Sequence, residues 1–473
     1  MIRPVAPLDL STPGRYHVVG VGGPGMSAIA IVLAEMGHQV SGSDIRERAV
    51  LDRVRAAGVE VHVGHDRRLV HGRDAITYST AIPARNVEVD EARTTGVQCM
   101  HRSGMLASIC AQAKALGVAG THGKTSTTSM LMLILAEAGE RPSFVIGGDV
   151  TDMGTGAQWT GGEWLVVEAD ESDGTHLELP LHGTILTNID VDHLDHYGSF
   201  DSIVEGFDRY LGQVPGPKVL CADDPHCAAL AARHGAVTYG TSETADFVAT
   251  DLRPSSGSFT FSVLERGRLL GDVTLPLRGV HNVRNATGAL AMAMSIGVPF
   301  GVAAAALGRF GGVARRFDVR GVSHGATLVD DYAHLPNEIG AVLAAARGSG
   351  DGWQRVVAVF QPNRFNRMAV MWPEYRDAFV DADLVVLTDI YASGTTPIPG
   401  ITGKLVVNAV LDAHPRTRMV WLPRRDDLVE YLARELRAGD VCISMGCGDV
   451  ATLPDEVRVR RDGLHSSPGR LPR

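Results

Sequence analysis

Apolar residues in this chain fall in short unbroken runs, each followed by glycines or acids and then by a longer stretch of helical character. Tyr16-His17-Val18-Val19 runs into a glycine cluster and then an apolar stretch over 27–36. Ala115-Leu116-Gly117-Val118-Ala119 runs into a second glycine cluster and then Met130-Leu131-Met132-Leu133-Ile134-Leu135. Trp164-Leu165-Val166-Val167, Thr184-Ile185-Leu186-Thr187 and the segments 356–360, 384–388 and 441–444 read as further buried strands. Strands alternating with helices predict α/β layers with mostly parallel sheets. The segment 247–277 departs from this. It reads as an antiparallel excursion with turns at Ser255-Ser256-Gly257 and Arg266-Gly267, followed by an alanine- and methionine-rich helix over 281–296. No repeat of fixed period is present.

At 473 residues the chain exceeds one typical core, so two to four domains are expected. Breaks fall near 112 and 314, giving units 1–112, 113–314 and 315–460. The segment 461–473, rich in Arg, Pro, Gly and Ser, is expected to be a disordered tail. Composition is that of a soluble globular protein, 45% hydrophobic and 21% charged. The net charge of −10, without a long basic stripe, argues against a nucleic-acid partner. Residues 1–17 lack the apolar core of a secretory signal, and no apolar run is long enough for a bilayer. Cys99, Cys110, Cys221, Cys227, Cys442 and Cys447 form no CxxC pair and no zinc spacing. Reduced thiols in a cytoplasmic protein are the expectation.

The second glycine cluster, Gly120-Thr121-His122-Gly123-Lys124-Thr125-Ser126, lies between a strand and a helix start. Backbone N–H groups and the positive helix end hold an anion in such a layout. Lys124 can reach the outer phosphates and Thr125 offers Mg²⁺ a hydroxyl. An ordinary P-loop needs its first glycine at 118, which is Val118 here, so the loop is a shortened form and points to an ATP user outside the common families.

The first cluster, Gly20-Val21-Gly22-Gly23-Pro24-Gly25, fits GxGxxG after a strand, with Met26 and Ser27 at the helix start and Asp44 closing the next strand. A dinucleotide site of an NAD oxidoreductase and a diphosphate site of another nucleotide both fit this pattern. Two acidic loops follow later strands, Glu168-Ala169-Asp170-Glu171-Ser172-Asp173 and Asn188-Ile189-Asp190-Val191-Asp192-His193-Leu194-Asp195-His196-Tyr197. Carboxylates at strand ends beside a phosphate loop suit Mg²⁺, and Thr125, Glu168 and His193 are the candidate ligands. No lysine occurs between Lys124 and Lys218.

Taken in order, GxGGxGMS at 20–27, GTHGKT at 120–125, EADESD at 168–173, the DH-containing loop at 188–195, HNxxNA at 281–286, Arg315-Arg316-Phe317, DDYxH at 330–334, FQPxRxxR at 360–367 and Met445-Gly446-Cys447-Gly448-Asp449 resemble the Mur ligases. These are ATP-dependent amide-forming enzymes of peptidoglycan precursor synthesis. The resemblance spans nearly the whole chain and is strongest to the alanine-adding branch, which does without a carbamylated lysine. It implies three domains: an N-terminal Rossmann-like domain for the uridine nucleotide, a central P-loop-type ATPase domain and a C-terminal Rossmann-like α/β domain that closes and binds the amino acid. It assigns the first glycine loop, with Asp44, Ser79, Thr80 and Ala81, to a UDP-sugar, and His281, Asn282, Asn285 and Arg316 to ATP. UDP-N-acetylmuramate, L-alanine and ATP are the implied small-molecule substrates, with Mg²⁺ as cofactor and a monomer or weak homodimer as the working unit. Lys124 would serve phosphoryl transfer, His193 or His334 would take the amine proton, and Arg364 or Arg367 would grip the alanine carboxylate. Two positions depart from the pattern: His334-Leu335-Pro336 stands for His-His-Pro, and Asn363 stands for the histidine of FQPHR.

Overall fold

The computed structural model describes residues 7–83, 85–150 and 153–466, apart from the side chains of Asp195, His465 and Ser466. Its first sheet has five parallel strands: β1 (Arg15–Val19), β2 (Gln39–Asp44), β3 (Glu60–Val63), β4 (Ala75–Tyr78) and β5 (Gln98–His101), in the order β3-β2-β1-β4-β5. The order reverses between β1 and β4, the switch point at which open α/β sheets bind ligands. Helix α1 (Pro24–Glu35) follows the first glycine loop, with α2 (Ala49–Ala56), α3 (Val87–Thr95) and α4 (Arg102–Cys110) after it. Pro24 opens α1, where its missing N–H costs nothing.

The second sheet has ten strands. They are β6 (Lys114–Ala119), β7 (Ser143–Val150), β8 (Thr155–Gln158), β9 (Trp164–Glu168), β10 (Gly183–Leu186), β11 (Lys218–Cys221), β12 (Val237–Gly240), β13 (Phe247–Ser255), β14 (Ser258–Glu265) and β15 (Arg268–Leu275). Their order is β15-β14-β13-β12-β11-β10-β6-β9-β7-β8. The run from β13 to β7 is parallel. β13, β14 and β15 are joined by the two-residue links Ser256-Gly257 and Arg266-Gly267, which only antiparallel hairpins allow. Arg266 and Gly267 both have positive φ, 49° and 79°, as a type I′ hairpin turn requires. Helix α5 (Lys124–Glu137) follows β6; α6 (Leu194–Tyr197), α7 (Phe200–Gln213), α8 (Pro225–His234), α9 (Val280–Ser295) and α10 (Phe300–Leu307) complete this part.

The third sheet holds β16 (Asp318–Ser323), β17 (Ala326–Asp331), β18 (Arg355–Phe360), β19 (Leu384–Leu387), β20 (Met419–Trp421) and β21 (Asp440–Met445), in the order β16-β17-β21-β18-β19-β20. Only the β16–β17 pair is antiparallel. Its helices are α11 (Pro336–Arg347), α12 (Phe365–Met371), α13 (Lys404–Ala413), α14 (Arg425–Glu435) and α15 (Leu453–Ser466). The expected tail is corrected in part. Residues 461–466 continue α15, and Arg461 is buried, its guanidinium donating to the carbonyls of Ala433 and Leu436. Residues 467–473 lie outside the described residues.

The chain divides into two compact units. One comprises Met1–Leu252, Phe261–Leu275 and Asn282–Gly311; the other comprises Arg253–Thr260, Pro276–His281 and Gly312–Arg473. The first unit carries the first two sheets, except the adjoining ends of β13 and β14, and a core that runs from Val18 and Ile29 through Leu165 and Leu186 to Phe207. In the second unit, Val329, Phe360, Met368 and Tyr375 belong to one core and Val357, Val386 and Leu432 to another. Among the described residues no helix is long and apolar enough to cross a membrane.

Candidate active site

β6 lies between β10 and β9, so the loops leaving those two strands flank the loop that leaves β6. The sheet order alone therefore sets both acidic segments beside the second glycine loop. Gly120 has φ 123°, and a side chain there would collide with Thr187 Oγ1 and lie 2.9 Å from the Asn188 carbonyl oxygen. Gly123 has φ 81° and caps α5; a side chain on it would stand 2.6 Å from Asn285 Oδ1. Both positions need glycine, on conformation and on space together. The loop is braced from β10. Asn188 Oδ1 accepts from the His122 N–H at 2.9 Å, and the Thr187 hydroxyl donates to the His122 carbonyl at 2.6 Å. The His122 ring meets Asp190 at 2.9 Å, and Thr121 Oγ1 accepts from the Asp190 N–H at 2.9 Å.

Lys124 folds back over the loop. Its Nζ donates to the carbonyls of Gly120 at 2.6 Å and Thr121 at 3.1 Å and lies 2.9 Å from both oxygens of Glu171. Burial works against the charge on Lys124, but Glu171, Asp170 and Glu168 outweigh it, and the ammonium is held above its usual pKa. Burial pushes the Glu171 carboxyl up, with Lys124 opposing. Thr125 Oγ1 donates to the two oxygens of Glu168 at 3.3 and 3.2 Å, and the Gly147 N–H holds one of them at 2.8 Å. Ser126 is buried in the same first turn. Asn285 lies beside Gly123 and donates to Asn282 Oδ1 at 3.4 Å, so of HNxxNA it is Asn285 that reaches the loop, with Asn282 beside it; His281 belongs to the second unit.

The candidate metal set is brought together only in part. Thr125 and Glu168 meet, whereas His193, at a left-handed φ of 52° before α6, lies 3.2 Å from Asp192 and 4.0 Å from Glu171. Among the described residues no three His, Cys, Asp or Glu side chains converge as a metal cage. The oxygen pair at Thr125 and Glu168 does fit a hard cation that draws its remaining ligands from phosphate and water, as Mg²⁺ does.

At the first glycine loop, the Gly20 and Val21 N–H groups donate to the Ser43 carbonyl at 2.8 and 2.9 Å, and the Gly22 N–H donates to Asp44 Oδ2 at 3.0 Å. Gly20 has φ 76°, and a side chain there would strike Ile82 at 2.8 Å; Ile82, whose N–H donates to the Ser79 carbonyl at 3.0 Å, closes the turn of Ser79, Thr80 and Ala81. Gly23 caps α1 and Gly25 lies in its first turn. The Met26 side chain is buried in the core, and the Ser27 hydroxyl donates to the Pro24 carbonyl at 2.9 Å.

In the second unit, Arg315 bonds Asp330 at 3.0 Å and the Gly446 carbonyl at 2.7 Å, and Arg315 and Arg316 both stack on the Tyr332 ring. His334 Nδ1 lies 3.1 Å from the Tyr332 carbonyl and 3.4 Å from Glu338. Arg364 has φ 61° where it caps α12, and Arg367 donates to Asn363 Oδ1 at 3.0 Å. Burial lifts the Cys447 thiol, with Arg367, Arg364 and Arg315 near enough to oppose. Asp331 accepts the N–H groups of Ala333 and Phe317 at 2.7 Å each, and burial pushes it up to about 6 despite Arg316.

Some participants carried no usable signal in the sequence. Glu171 was one acid among four in its strip, yet it alone holds Lys124. Arg102, a single arginine at a helix start, reaches Asp170 and Asp173 of that strip. His65 lies 3.0 Å from Ser43 Oγ and from the buried Glu88, and it lines a pocket with His62, Asp66 and Arg68 at the end of β3.

A Rossmann-like sheet with one glycine loop, and a second sheet whose glycine loop is flanked by acids, are the layout of a nucleotide-dependent α/β enzyme. Family models match along the chain: the Mur ligase catalytic domain over residues 15–114, the Mur ligase middle domain over 118–293 and the Mur ligase glutamate ligase domain over 315–448. The chain belongs to the Mur ligase family. It is 43% identical to the UDP-N-acetylmuramate–L-alanine ligase of Acidothermus cellulolyticus, over 97% of this chain and 98% of that one. It is 41% identical to the enzyme of the same name from Pelobacter propionicus, over 92% and 95%. The crystal structure of UDP-N-acetylmuramate–alanine ligase from Thermotoga maritima matches with a TM-score of 0.80 at 26% identity, over 95% of this chain and all of that one.

Proposed function

We propose that this chain is an ATP-dependent ligase that joins L-alanine to the lactyl carboxylate of UDP-N-acetylmuramate, releasing ADP and phosphate in peptidoglycan precursor synthesis. The observation that carries the reading is Lys124, a charged and largely buried ammonium held inside a glycine loop at the head of α5, with the hydroxyl of Thr125 and the carboxylate of Glu168 paired beside it. A γ-phosphate at the loop replaces the carbonyl and carboxylate oxygens that Lys124 grips here. The ammonium then offsets the charge that repels an attacking carboxylate. Thr125 and Glu168 would hold Mg²⁺, which would neutralise charge building on the phosphate oxygens. The lactyl carboxylate attacks the γ-phosphorus, ADP leaves, and an acyl phosphate results. The alanine amine attacks the acyl carbon and phosphate leaves. His193 or His334 takes the amine proton, and Arg364 or Arg367 holds the alanine carboxylate in a two-point pair.

In this reading residues 1–112 bind the UDP-sugar, 113–314 bind ATP and 315–460 bind the amino acid. The enzyme works in the cytoplasm as a monomer or weak homodimer. The test is ADP release with ATP, Mg²⁺ and UDP-N-acetylmuramate, with and without L-alanine. Turnover that requires L-alanine, with a product heavier by one alanyl residue, is expected. Turnover that requires a tripeptide instead, or no ADP release, overturns the reading.

A further inference from the structure

Arg102 opens α4 directly after β5, and its guanidinium is divided between two duties. Nε donates to Asp173 Oδ2 at 2.9 Å and Nη2 donates to Asp170 Oδ2 at 2.6 Å, so one face is anchored on the acid strip that follows β9. Nη1 makes no hydrogen bond among the described residues. It lies 3.3 Å from the point where a side chain on Gly25 would begin, in the first turn of α1. The charge is secure. Burial works against it, but Asp170 and Asp173 outweigh burial and hold the guanidinium above its usual pKa. Asp170, pushed up by burial, is in turn held well below the usual carboxylate range by Arg102 and Lys124. The next residue, Glu171, grips Lys124.

An arginine that has spent only part of its fork on carboxylates keeps N–H donors for another planar or tetrahedral anion. Here the remaining donors face the N-terminal turn of α1, where glycines at 22, 23 and 25 leave the backbone open for a phosphate. We infer that Arg102 binds a diphosphate oxygen of the sugar nucleotide at the first glycine loop and ties that site to the acid strip beside Lys124. The inference rests on the UDP-sugar reading of that loop. It adds a donor from outside the loop itself and gives Asp170 and Asp173 the role of aiming it. Gly25 then has a further reason to be glycine: a side chain there would occupy the space between Nη1 and the ligand.

The test is calorimetric titration of the full-length protein with UDP, with UDP-N-acetylmuramate and with a non-hydrolysable ATP analogue, for wild type, Arg102→Lys and Arg102→Met. Thermal melting of each variant is followed alongside. Loss of one charge-assisted bond should weaken UDP and the sugar nucleotide by about tenfold or more in both variants, while ATP-analogue affinity stays within about twofold. Weakening of the sugar nucleotide without weakening of UDP would move the contact from the diphosphate to the sugar's carboxylate and overturn the inference, as would unchanged affinity for both. Arg102→Lys keeps a cation beside Asp170 and Asp173, so it tests the contact even if Arg102→Met folds poorly. In steady state, Arg102→Lys should raise KM for the sugar nucleotide and leave KM for ATP in place; a fall in kcat alone would assign Arg102 a structural role. Wild type that binds neither UDP nor UDP-N-acetylmuramate defeats the UDP-sugar reading itself, a result separable from failure of the variants alone.

Discussion

Replacing Lys124 by methionine separates the charge that serves phosphate from the charge that serves folding. In the wild type the ammonium lies 2.9 Å from both oxygens of Glu171, which is 3% exposed. Removing one partner of a buried pair costs about 3–5 kcal/mol. Glu171 can limit that loss by taking a proton, because burial already raises its pKa and the loss of Lys124 raises it further. The variant's folded state then holds a proton that the unfolded state lacks above its ordinary carboxylate range. Stability therefore falls as pH rises from about 4.5 toward the folded value, with a limiting slope of about 1.4 kcal/mol per pH unit for one proton. This falling limb should reach higher pH in Lys124→Met than in wild type, as followed by urea unfolding from pH 5 to 8.5. The double variant Lys124→Met/Glu171→Gln removes both charges and should regain about 2 kcal/mol or more at pH 8. Neither variant should turn over: loss of one preorganised cation at the transferring phosphate costs about 10²–10³ or more in kcat. Two results refute the reasoning: ADP release in Lys124→Met within tenfold of wild type, or pH profiles of stability that superimpose for single variant and wild type.

Three further outcomes follow from the geometry. Gly120→Ala forces a side chain onto Thr187 and Asn188 at φ 123°, so about 2–4 kcal/mol of stability and most ATP affinity should be lost, measured by denaturant melts and nucleotide titration. Asp44→Asn loses the charge that accepts the Gly22 N–H at 3.0 Å; affinity for UDP-N-acetylmuramate should fall about tenfold while ATP binding holds, and equal loss of both ligands would contradict the assignment. Asp331, pushed up to about 6 by burial, favours the folded state when protonated, so its contribution is present below about 3.8 and is lost as pH rises to 6, at most about 3 kcal/mol. Asp331→Asn should flatten that part of the stability profile, and an unchanged slope would exclude Asp331 as its source.

The strands β9, β18 and β19 and both glycine loops were legible because these strands are short, nearly unbroken apolar runs and each loop has glycine where φ is positive or space is absent. The hairpins from β13 to β15 were legible for the same reason, through Gly257 and Gly267. Strand order was not. Nothing local in Trp164-Leu165-Val166-Val167 or Thr184-Ile185-Leu186 says that these segments border β6 on opposite sides; crossovers decide that. So the sequence could place acids near the second glycine loop and single out Glu168 and His193, but not say which side chain each acid would meet. The structure sets Glu168 against Thr125, Glu171 against Lys124, and Asp170 and Asp173 against Arg102. Met26 lies within the glycine motif, and the turn of α1 points its side chain into the core, so its backbone alone faces the loop's motif.

The two departures from the family's pattern in the second unit have different physical meanings. Leu335 is 3% exposed and caps α11; Glu338 accepts the N–H groups of His334 and Leu335 at 2.9 and 3.2 Å, so the helix start is closed without an imidazole. An apolar side chain buried at that point offers a substrate nothing, and His334 alone keeps a ring near Tyr332 and Glu338. Asn363 is also 3% exposed, but its amide oxygen accepts from Arg367 at 3.0 Å. A neutral histidine could supply the same acceptor from one ring nitrogen. The replacement at 363 thus preserves the support of an arginine, whereas the replacement at 335 removes a polar group outright. Under the proposed function, Arg364, Arg367 and a single imidazole are thus the candidates this unit offers the amino acid. Of the two histidines proposed as the amine's base, His334 lies beside Tyr332 and Glu338, and His193 is placed by Asp192 and its left-handed backbone.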